Sequence, residues 1–319
     1  MVEGFFLPFD MKFKIDIPVE DNPILDYQTP VLAIGSCFAD RMSDRLRQAH
    51  FNVLSNPYGT LYNPVSMAQN LLGLNTAASF IQHNGLWNSF QHHSDVSRPD
   101  QSALTLKIQE IDEQVLKHFG QTKTTNLVTF GSAQVFTFED KIVANCHKVP
   151  SKQFSRRLLT VEEIVNSWSA LLSTYPNHDF LFTVSPVRYT REGMHTSNLS
   201  KSILLLAANQ LVKQFGNAFY FPAYELVIDE LRDYRFYKED LVHPNKQAVD
   251  YVWGKVKLHL MTERTKDMIV DLDNVVHMQQ HKLLHPESEA AQKFIAKKRM
   301  AESDFEDKHG VNVKTGKEV

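Results

Sequence analysis

Three residues have the side chains that acyl-transfer chemistry uses: Ser36 and, far downstream in this sequence, Asp240 and His243. A serine hydroxyl is a weak nucleophile at neutral pH and needs a neighbouring base such as an imidazole. An aspartate shortly before a histidine can orient that ring and stabilise the charge it gains with a proton. The sequence therefore predicts a Ser–His–Asp site, provided that the fold brings Ser36 to His243.

The residues around Ser36 predict a position suited to this chemistry. Residues 31–34 are apolar and lead directly into Gly35, after which apolar residues recur with helical spacing. This pattern indicates a buried strand, a tight turn that glycine permits, and a helix that begins at Ser36. Open α/β sheets bind ligands at such turns, and the first helical turn attracts negative charge. The alternative is that Ser36 is only a helix N-cap.

The elements that must position these residues alternate between apolar strands and amphipathic helices. This order predicts an α/β fold whose five-stranded parallel sheet is covered by helices on both faces, as in a flavodoxin-like α/β/α sandwich. Ser36 and His243 would then meet at the carboxyl edge of that sheet. Thr160 to Glu163 has the residues of a capping box for one of the helices. The strands are expected near residues 31, 51, 126, 180 and 219.

The sequence resembles the GSCFA family, which is similar to the SGNH/GDSL hydrolases. Residues 34–39 contain the five-letter signature of that family. The resemblance extends over about residues 11–260, with further similar segments at 56–64, 86–90, 145–150 and 185–188. It implies an ester hydrolase with Ser36 as nucleophile, His243 as base and Asp240 as the residue that orients it.

The same resemblance implies an oxyanion hole that is incomplete in its usual form. The N–H groups of Ser36 and Gly59 match two of its donors. The third donor of the superfamily is an asparagine in a Gly-x-Asn turn, and here the turn that begins at Gly131 has no asparagine. Gln134 or Asn145 is expected to supply the missing donor. Loss of one such donor typically costs about 3–4 kcal/mol of transition-state stabilisation.

Four further residues are candidates for substrate binding: Tyr58, Trp87, His147 and Arg188. Trp87 lies in a segment, residues 74–108, that is rich in polar and aromatic residues and is expected to form an insertion or lid over the substrate. His147 could contact an anionic group, or it could be a solvated loop residue. Arg188 could bind a carboxylate or phosphate with two hydrogen bonds, or it could form a structural salt bridge.

The two cysteines, Cys37 and Cys146, are too few for a disulfide framework. Cys37 would adjoin Ser36 at a helix N-terminus, where thiols become reactive, so a Cys37-dependent enzyme is an alternative. The competing interpretation is a small buried packing residue. His83, His92 and His93 show no three-ligand zinc spacing, so we expect no metal and no other cofactor.

Composition excludes several other classes of function. The chain has 319 residues, is 43% hydrophobic and 22% charged, and has a net charge of -3. This balance suggests no nucleic-acid or membrane partner, and no apolar run is long enough to span a bilayer. The N-terminus is a poor signal peptide, so we expect a cytoplasmic protein.

The sequence pattern changes near residue 262. We expect a catalytic domain over residues 1–262, with residues 1–10 loosely packed. Residues 263–319 are expected to form a helical extension, with a disordered tail from Ala301. The C-terminal helices could pack back on the domain or pair subunits into a homo-oligomer.

Together these features predict a serine-dependent esterase that acts on a small-molecule or carbohydrate ester, with an O-acetylated sugar as the suggested substrate. An acyltransferase with the same Ser–His–Asp site is an alternative. A non-catalytic binding module on a hydrolase-like fold is another, and the missing asparagine favours it.

Overall fold

Five parallel strands form the central sheet of this protein, for which a computed structural model describes residues 14–22, 24–74, 80–280 and 285–311. Two small antiparallel sheets accompany it. The strands in chain order are β1 (Val31–Gly35), β2 (Val53–Ser55), β3 (Phe80–His83), β4 (Leu86–Ser89), β5 (Thr125–Phe130), β6 (Gln134–Phe138), β7 (Lys141–Val143), β8 (Ser155–Leu158), β9 (Asp179–Val184) and β10 (Ala218–Tyr220).

The strand order of the central sheet is β2–β1–β5–β9–β10, and all four pairs are parallel. This is the order of flavodoxin-like folds, so the predicted fold class is confirmed. Gly35 at the end of β1 pairs with Thr129 of β5, and Phe130 pairs with Val184 at the end of β9. The residues that follow these three strands therefore emerge at one edge of the sheet.

Helices cover both faces of the sheet because its side chains alternate between two hydrophobic clusters. Leu32 and Val128 face one cluster, while Val31 and Leu127 face the other. None of the helices in the described ranges has both the length and the hydropathy that crossing a bilayer requires. They are α1 (Cys37–Gln48), α2 (Pro64–Leu71), α3 (Gln101–Phe119), α4 (Val161–Thr174), α5 (Met194–Gln214), α6 (Ala223–Glu225, continued by a π-helical segment, Leu226–Leu231), α7 (Lys246–Leu260), α8 (Glu263–Gln280) and α9 (Glu289–His309).

Local capping groups decide where several of these helices begin. The predicted capping box is present at α4, where Thr160 and Glu163 bond reciprocally. Helix α3 begins at Gln101 because the Asp100 carboxylate accepts the Ala103 N–H at 2.7 Å. The end of the predicted insertion, residues 74–108, is thus the first part of this helix, and the β3–β4 hairpin precedes it.

The C-terminal helices α8 and α9 pack against each other. Phe305 of α9 is buried with Met268 and Leu272 of α8, and Ile269 of α8 joins the hydrophobic cluster that contains Val31. Helix α9 continues to His309, so the tail predicted to be disordered from Ala301 is helical as far as that residue. The N-terminal segment predicted to be loosely packed lies outside the described residues.

Candidate active site

The turn between β1 and α1 has little room for any residue but glycine at its first position. Gly35 has a φ of 142°, and a Cβ atom there would lie 2.2 Å from the carbonyl oxygen of Thr129. Its N–H donates to the side chain of Asn56 at 2.8 Å. Ser36 follows as the N-cap of α1, and its Oγ accepts the Phe38 N–H at 3.3 Å. The predicted strand–turn–helix junction is therefore present.

The hydroxyl of Ser36 is closed to solvent in this conformation. The residue is 0% exposed, and its N–H donates to the Thr129 carbonyl at 3.3 Å. In the described part of the chain, no hydrogen bond joins Ser36 to His243. Catalytic hydrogen bonds are often long or unformed without substrate, so the missing bond is compatible with the predicted roles of Ser36 and His243.

Asp240 and His243 form a well-defined pair in the loop before α7. Oδ2 of Asp240 lies 2.7 Å from Nδ1 of His243, and Oδ1 accepts the N–H groups of His243 and Val242 at 3.0 and 2.9 Å. The two backbone N–H groups, followed by the imidazole, hold the pKa of Asp240 well below its usual range. An ionised Asp240 favours the imidazole tautomer with its proton on Nδ1, which leaves Nε2 free to accept another.

Backbone contacts hold this pair at the carboxyl edge of the sheet. The carbonyl of Val242 accepts the N–H of Arg188, which follows β9, at 3.1 Å. The carbonyl of His243 accepts the Lys238 N–H at 2.8 Å. The histidine loop therefore lies beside the residues that follow β9, at the edge of the sheet where β1 also ends.

Burial raises the pKa of the Cys37 thiol, and Asp40 adds to this effect. A raised thiol pKa disfavours the reactive thiolate at neutral pH. The electrostatics around Cys37 therefore weigh against the Cys37-dependent alternative.

The predicted oxyanion donors are engaged in contacts within the fold. The N–H of Gly59 donates to the carbonyl of Asn56 at 2.7 Å. The side chain of Asn145 donates to Ser94 at 3.4 Å, and Gln134 is half-buried at the start of β6. Neither amide side chain bonds to the Ser36 turn among the residues described, so their role as donors remains a prediction.

Three of the residues predicted to bind substrate are occupied by structural contacts. The Tyr58 hydroxyl is buried and donates to the carbonyl of Asn70 at 2.9 Å. His147 is also buried, with Nε2 2.6 Å from the carbonyl of Ser89. Trp87 in β4 packs against the main hydrophobic cluster. These contacts account for all three side chains without a substrate.

Arg188, the fourth residue predicted to bind substrate, lies beside two tyrosine rings. Its guanidinium carbon lies 5.5 Å from the ring centre of Tyr234 and 5.6 Å from that of Tyr237. Among the residues that the structure describes, its one side-chain hydrogen bond is a long contact, 3.9 Å, with the sulfur of Met194. No carboxylate pairs with it within the described ranges, so the alternative of a structural salt bridge finds no partner there.

A family model for the GSCFA family matches residues 30–256, which is more than two thirds of the chain. The chain belongs to the GSCFA family. The match contains the Ser36 turn and the Asp240–His243 pair and ends within α7. Comparisons with curated proteins and with solved structures found no match.

In this GSCFA protein, sequence reasoning missed two side chains that build the serine turn. Asn56 accepts the Gly35 N–H and donates to Asp40 at 2.6 Å. The carboxylate of Asp40 also accepts the hydroxyl of Thr60 at 3.2 Å. Asn56 lies within residues 56–64, which resemble the family, and this resemblance was the sequence signal that could have pointed to it.

Sequence reasoning also missed two buried polar groups at the carboxyl edge of the sheet, Lys201 and Tyr189. The ammonium group of Lys201 donates to the carbonyls of Gly131 and Ser185, which follow β5 and β9, at 2.8 and 2.7 Å. The Tyr189 hydroxyl is buried and has no hydrogen-bond partner in the described part of the chain. The signal for Lys201 was its register, since it precedes Leu204 by three residues on the buried face of α5.

The histidines considered as metal ligands do not form a site. His92 is buried, and its Nδ1 lies 2.7 Å from the hydroxyl of Ser89. Across the part of the chain that the structure describes, no group of three or more histidine, cysteine or acidic side chains could hold a metal ion.

Proposed function

We propose that this member of the GSCFA family is a serine-dependent ester hydrolase, with Ser36 as nucleophile and His243 as general base. The observation that supports it best is the 2.7 Å contact between His243 Nδ1 and Asp240 Oδ2. That contact orients the ring and leaves Nε2 available as a base. The loop that holds this pair bonds to the residues that follow β9, at the same edge of the sheet where Ser36 follows β1.

In the proposed reaction, Nε2 of His243 takes the hydroxyl proton of Ser36 while Oγ attacks the acyl carbon of the ester. The tetrahedral intermediate collapses, and the alcohol leaves with the proton from His243. Water then attacks the acyl-enzyme while His243 takes its proton, and the second tetrahedral intermediate collapses to release the carboxylic acid as His243 returns the proton to Oγ of Ser36. Because the hydroxyl is buried, an opening beside Ser36 must precede substrate binding.

Stabilisation of the oxyanion requires donors that are free at the right moment. We assign one such donor to the Tyr189 hydroxyl, which replaces the asparagine missing from this chain. The hydroxyl oxygen lies 3.0 Å from the point where a Cβ on Gly131 would stand, and it has no hydrogen-bond partner. The N–H of Ser36 supplies a second donor, since its present bond to Thr129 is long, 3.3 Å.

The substrate we propose is an O-acyl ester of a carbohydrate or small molecule, by analogy with hydrolases of related fold. Transfer of the acyl group to another hydroxyl would use the same steps with an alcohol in place of water. The second candidate is a binding module without catalysis, which the burial of Ser36 and its lack of a bond to His243 in the described residues favour.

A fluorophosphonate probe distinguishes these functions because it labels only activated serines. The purified protein is labelled and its peptides are analysed by mass spectrometry. We expect a label on Ser36 that disappears in His243→Ala. A matched control is His259→Ala, since Nδ1 of His259 lies 2.7 Å from Asp21 in a second histidine–aspartate pair.

Labelling of Ser36 in His259→Ala and not in His243→Ala supports the hydrolase. Absence of any label short of denaturation contradicts it and favours the binding module. Equal labelling of both variants would remove His243 from the mechanism.

A further inference from the structure

A cavity of about 250 Å³ lies at the carboxyl edge of the sheet, beside the loop that follows β9. The loop after β9, helix α5 and the segment that follows β10 enclose it. Arg188, Lys201 and Arg232 reach it from these three elements, and tyrosines line much of the remaining wall. The residues that line the cavity include no aspartate or glutamate.

The positive charge of this cavity is not neutralised within the described ranges of the chain. Neither Arg188, Lys201 nor Arg232 forms a salt bridge there. The acidic side chains on the adjacent segment are Glu225, which accepts the hydroxyl of Tyr220 at 2.9 Å, and Asp229, Glu230 and Asp233, which line a different pocket that Arg232 also reaches. An unbalanced group of cations around a cavity attracts an anionic ligand.

Lys201 is the least usual of the three cations because it is only 3% exposed. Its ammonium group donates to two neutral carbonyls and lies 4.9 Å from the ring centre of Tyr189. Carbonyls and aromatic faces solvate a cation without neutralising it. A buried ammonium group without a counter-charge is costly, and a bound anion would reduce that cost.

Arg188 supplies the geometry that recognises such an anion. The rings of Tyr234 and Tyr237 flank its guanidinium group, and the side chain has no strong hydrogen bond of its own. A guanidinium group held in this way presents paired N–H donors that match the two oxygens of a carboxylate or phosphate.

The cavity is connected to the proposed catalytic residues through the backbone. The N–H of Arg188 donates to Val242, next to His243. Lys201 holds the carbonyl of Gly131, whose N–H donates to Tyr62 at 2.9 Å in the loop that runs beside Gly35. These bonds join the walls of the cavity to the loop of His243 and to the loop that bonds to Gly35.

We propose that this cavity binds a carboxylate or phosphate group of the substrate, with Arg188 and Lys201 as its ligands, so that the enzyme selects anionic esters. That the bound anion belongs to a substrate rests on the proposed function, whereas anion binding in this cavity does not depend on hydrolysis.

Calorimetric titration of the full chain with succinate and with inorganic phosphate tests the site without any turnover. We expect Arg188→Gln to weaken binding about tenfold or more, as the loss of a charge-assisted pair does. The matched control is Arg191→Gln, which removes an exposed arginine of the same loop that does not line the cavity. It should bind within about twofold of the wild type.

Binding of either anion supports the proposal, and the tighter of the two shows whether the site prefers a carboxylate or a phosphate. Absence of binding by the wild type, or equal affinity of the two arginine variants, overturns it. Thermal unfolding of each variant verifies that it is folded.

A pair of para-nitrophenyl esters then connects the site to catalysis. Arg188→Gln should raise KM for the hemisuccinate ester by a larger factor than KM for the neutral acetate, and Arg191→Gln should leave both values near those of the wild type. If neither ester is hydrolysed by the wild type, the proposed function fails while the titration still decides the anion site.

Discussion

Nδ1 of His243 lies 2.7 Å from Oδ2 of Asp240, and the other carboxylate oxygen accepts two backbone N–H groups of the same loop. The aspartate therefore fixes the backbone of the loop and the tautomer of the ring together. Both side chains are nearly half exposed, at 47% for Asp240 and 42% for His243. The pair is thus pre-formed on the surface, whereas Ser36 is fully enclosed.

Asp240→Asn should slow fluorophosphonate labelling of Ser36 about 10²- to 10⁴-fold with little change in stability, because an amide favours the wrong imidazole tautomer. The amide oxygen can still accept the loop N–H groups. The rate constant for labelling is the measurement. Asp21→Asn, which alters the second histidine–aspartate pair, should label like the wild type. A rate for Asp240→Asn within about twofold of the wild type would contradict the assigned role.

Gly35→Ala should destabilise the protein by about 2–4 kcal/mol, because the new Cβ would clash with Thr129 in a backbone conformation that alanine rarely adopts. Gly254→Ala is the opposite case. Gly254 lies within α7 with no atom near its Cβ position, so alanine should stabilise the helix by about 0.5–1 kcal/mol. Urea unfolding measures both changes, and equal effects would contradict the steric reason.

Tyr189→Phe should raise stability and lower activity. The hydroxyl is buried without a partner, so its removal should stabilise the fold by about 1 kcal/mol. If it donates to the oxyanion, hydrolysis should fall about 10²-fold in kcat. Urea unfolding and ester hydrolysis are measured on the same preparation. Unchanged kcat with raised stability would leave the hydroxyl without a catalytic role.

The sheet could be predicted because its strands are short, continuous apolar runs that are buried on both faces. The strand near residue 31 is an example, since Val31 and Leu32 enter opposite clusters and both must be apolar. The turn at Gly35 and Ser36 follows from the same local sequence.

Features that depend on contacts between distant residues could not be predicted in this way. Residues 301–309 are rich in charge, yet they are helical because Phe305 packs against α8. Burial of Lys201 likewise depends on two carbonyls from strands that lie far away in sequence. His147 and Tyr58 have the residue types of a binding site, but their partners are carbonyls of the fold.

Lys201 should make the stability of the protein depend on pH. Burial lowers the pKa of Lys201 to about 7 in the folded state, from an ordinary value of 10.5. Between these values the unfolded chain binds a proton that the folded chain does not, so the free energy of unfolding rises with pH across this window. Below about pH 7 both states are protonated, and the contribution of this residue is constant.

Urea unfolding from about pH 6 to pH 10 measures this dependence as the difference between the wild type and Lys201→Met. This difference in the free energy of unfolding should change by up to about 1.4 kcal/mol per pH unit above pH 7. Lys213 is an exposed lysine of the same helix, so the curve for Lys213→Met should run parallel to that of the wild type. A saturating anion should shift the window to higher pH, because it stabilises the charged ammonium group. Parallel curves for the wild type and Lys201→Met would show that Lys201 titrates alike in both states.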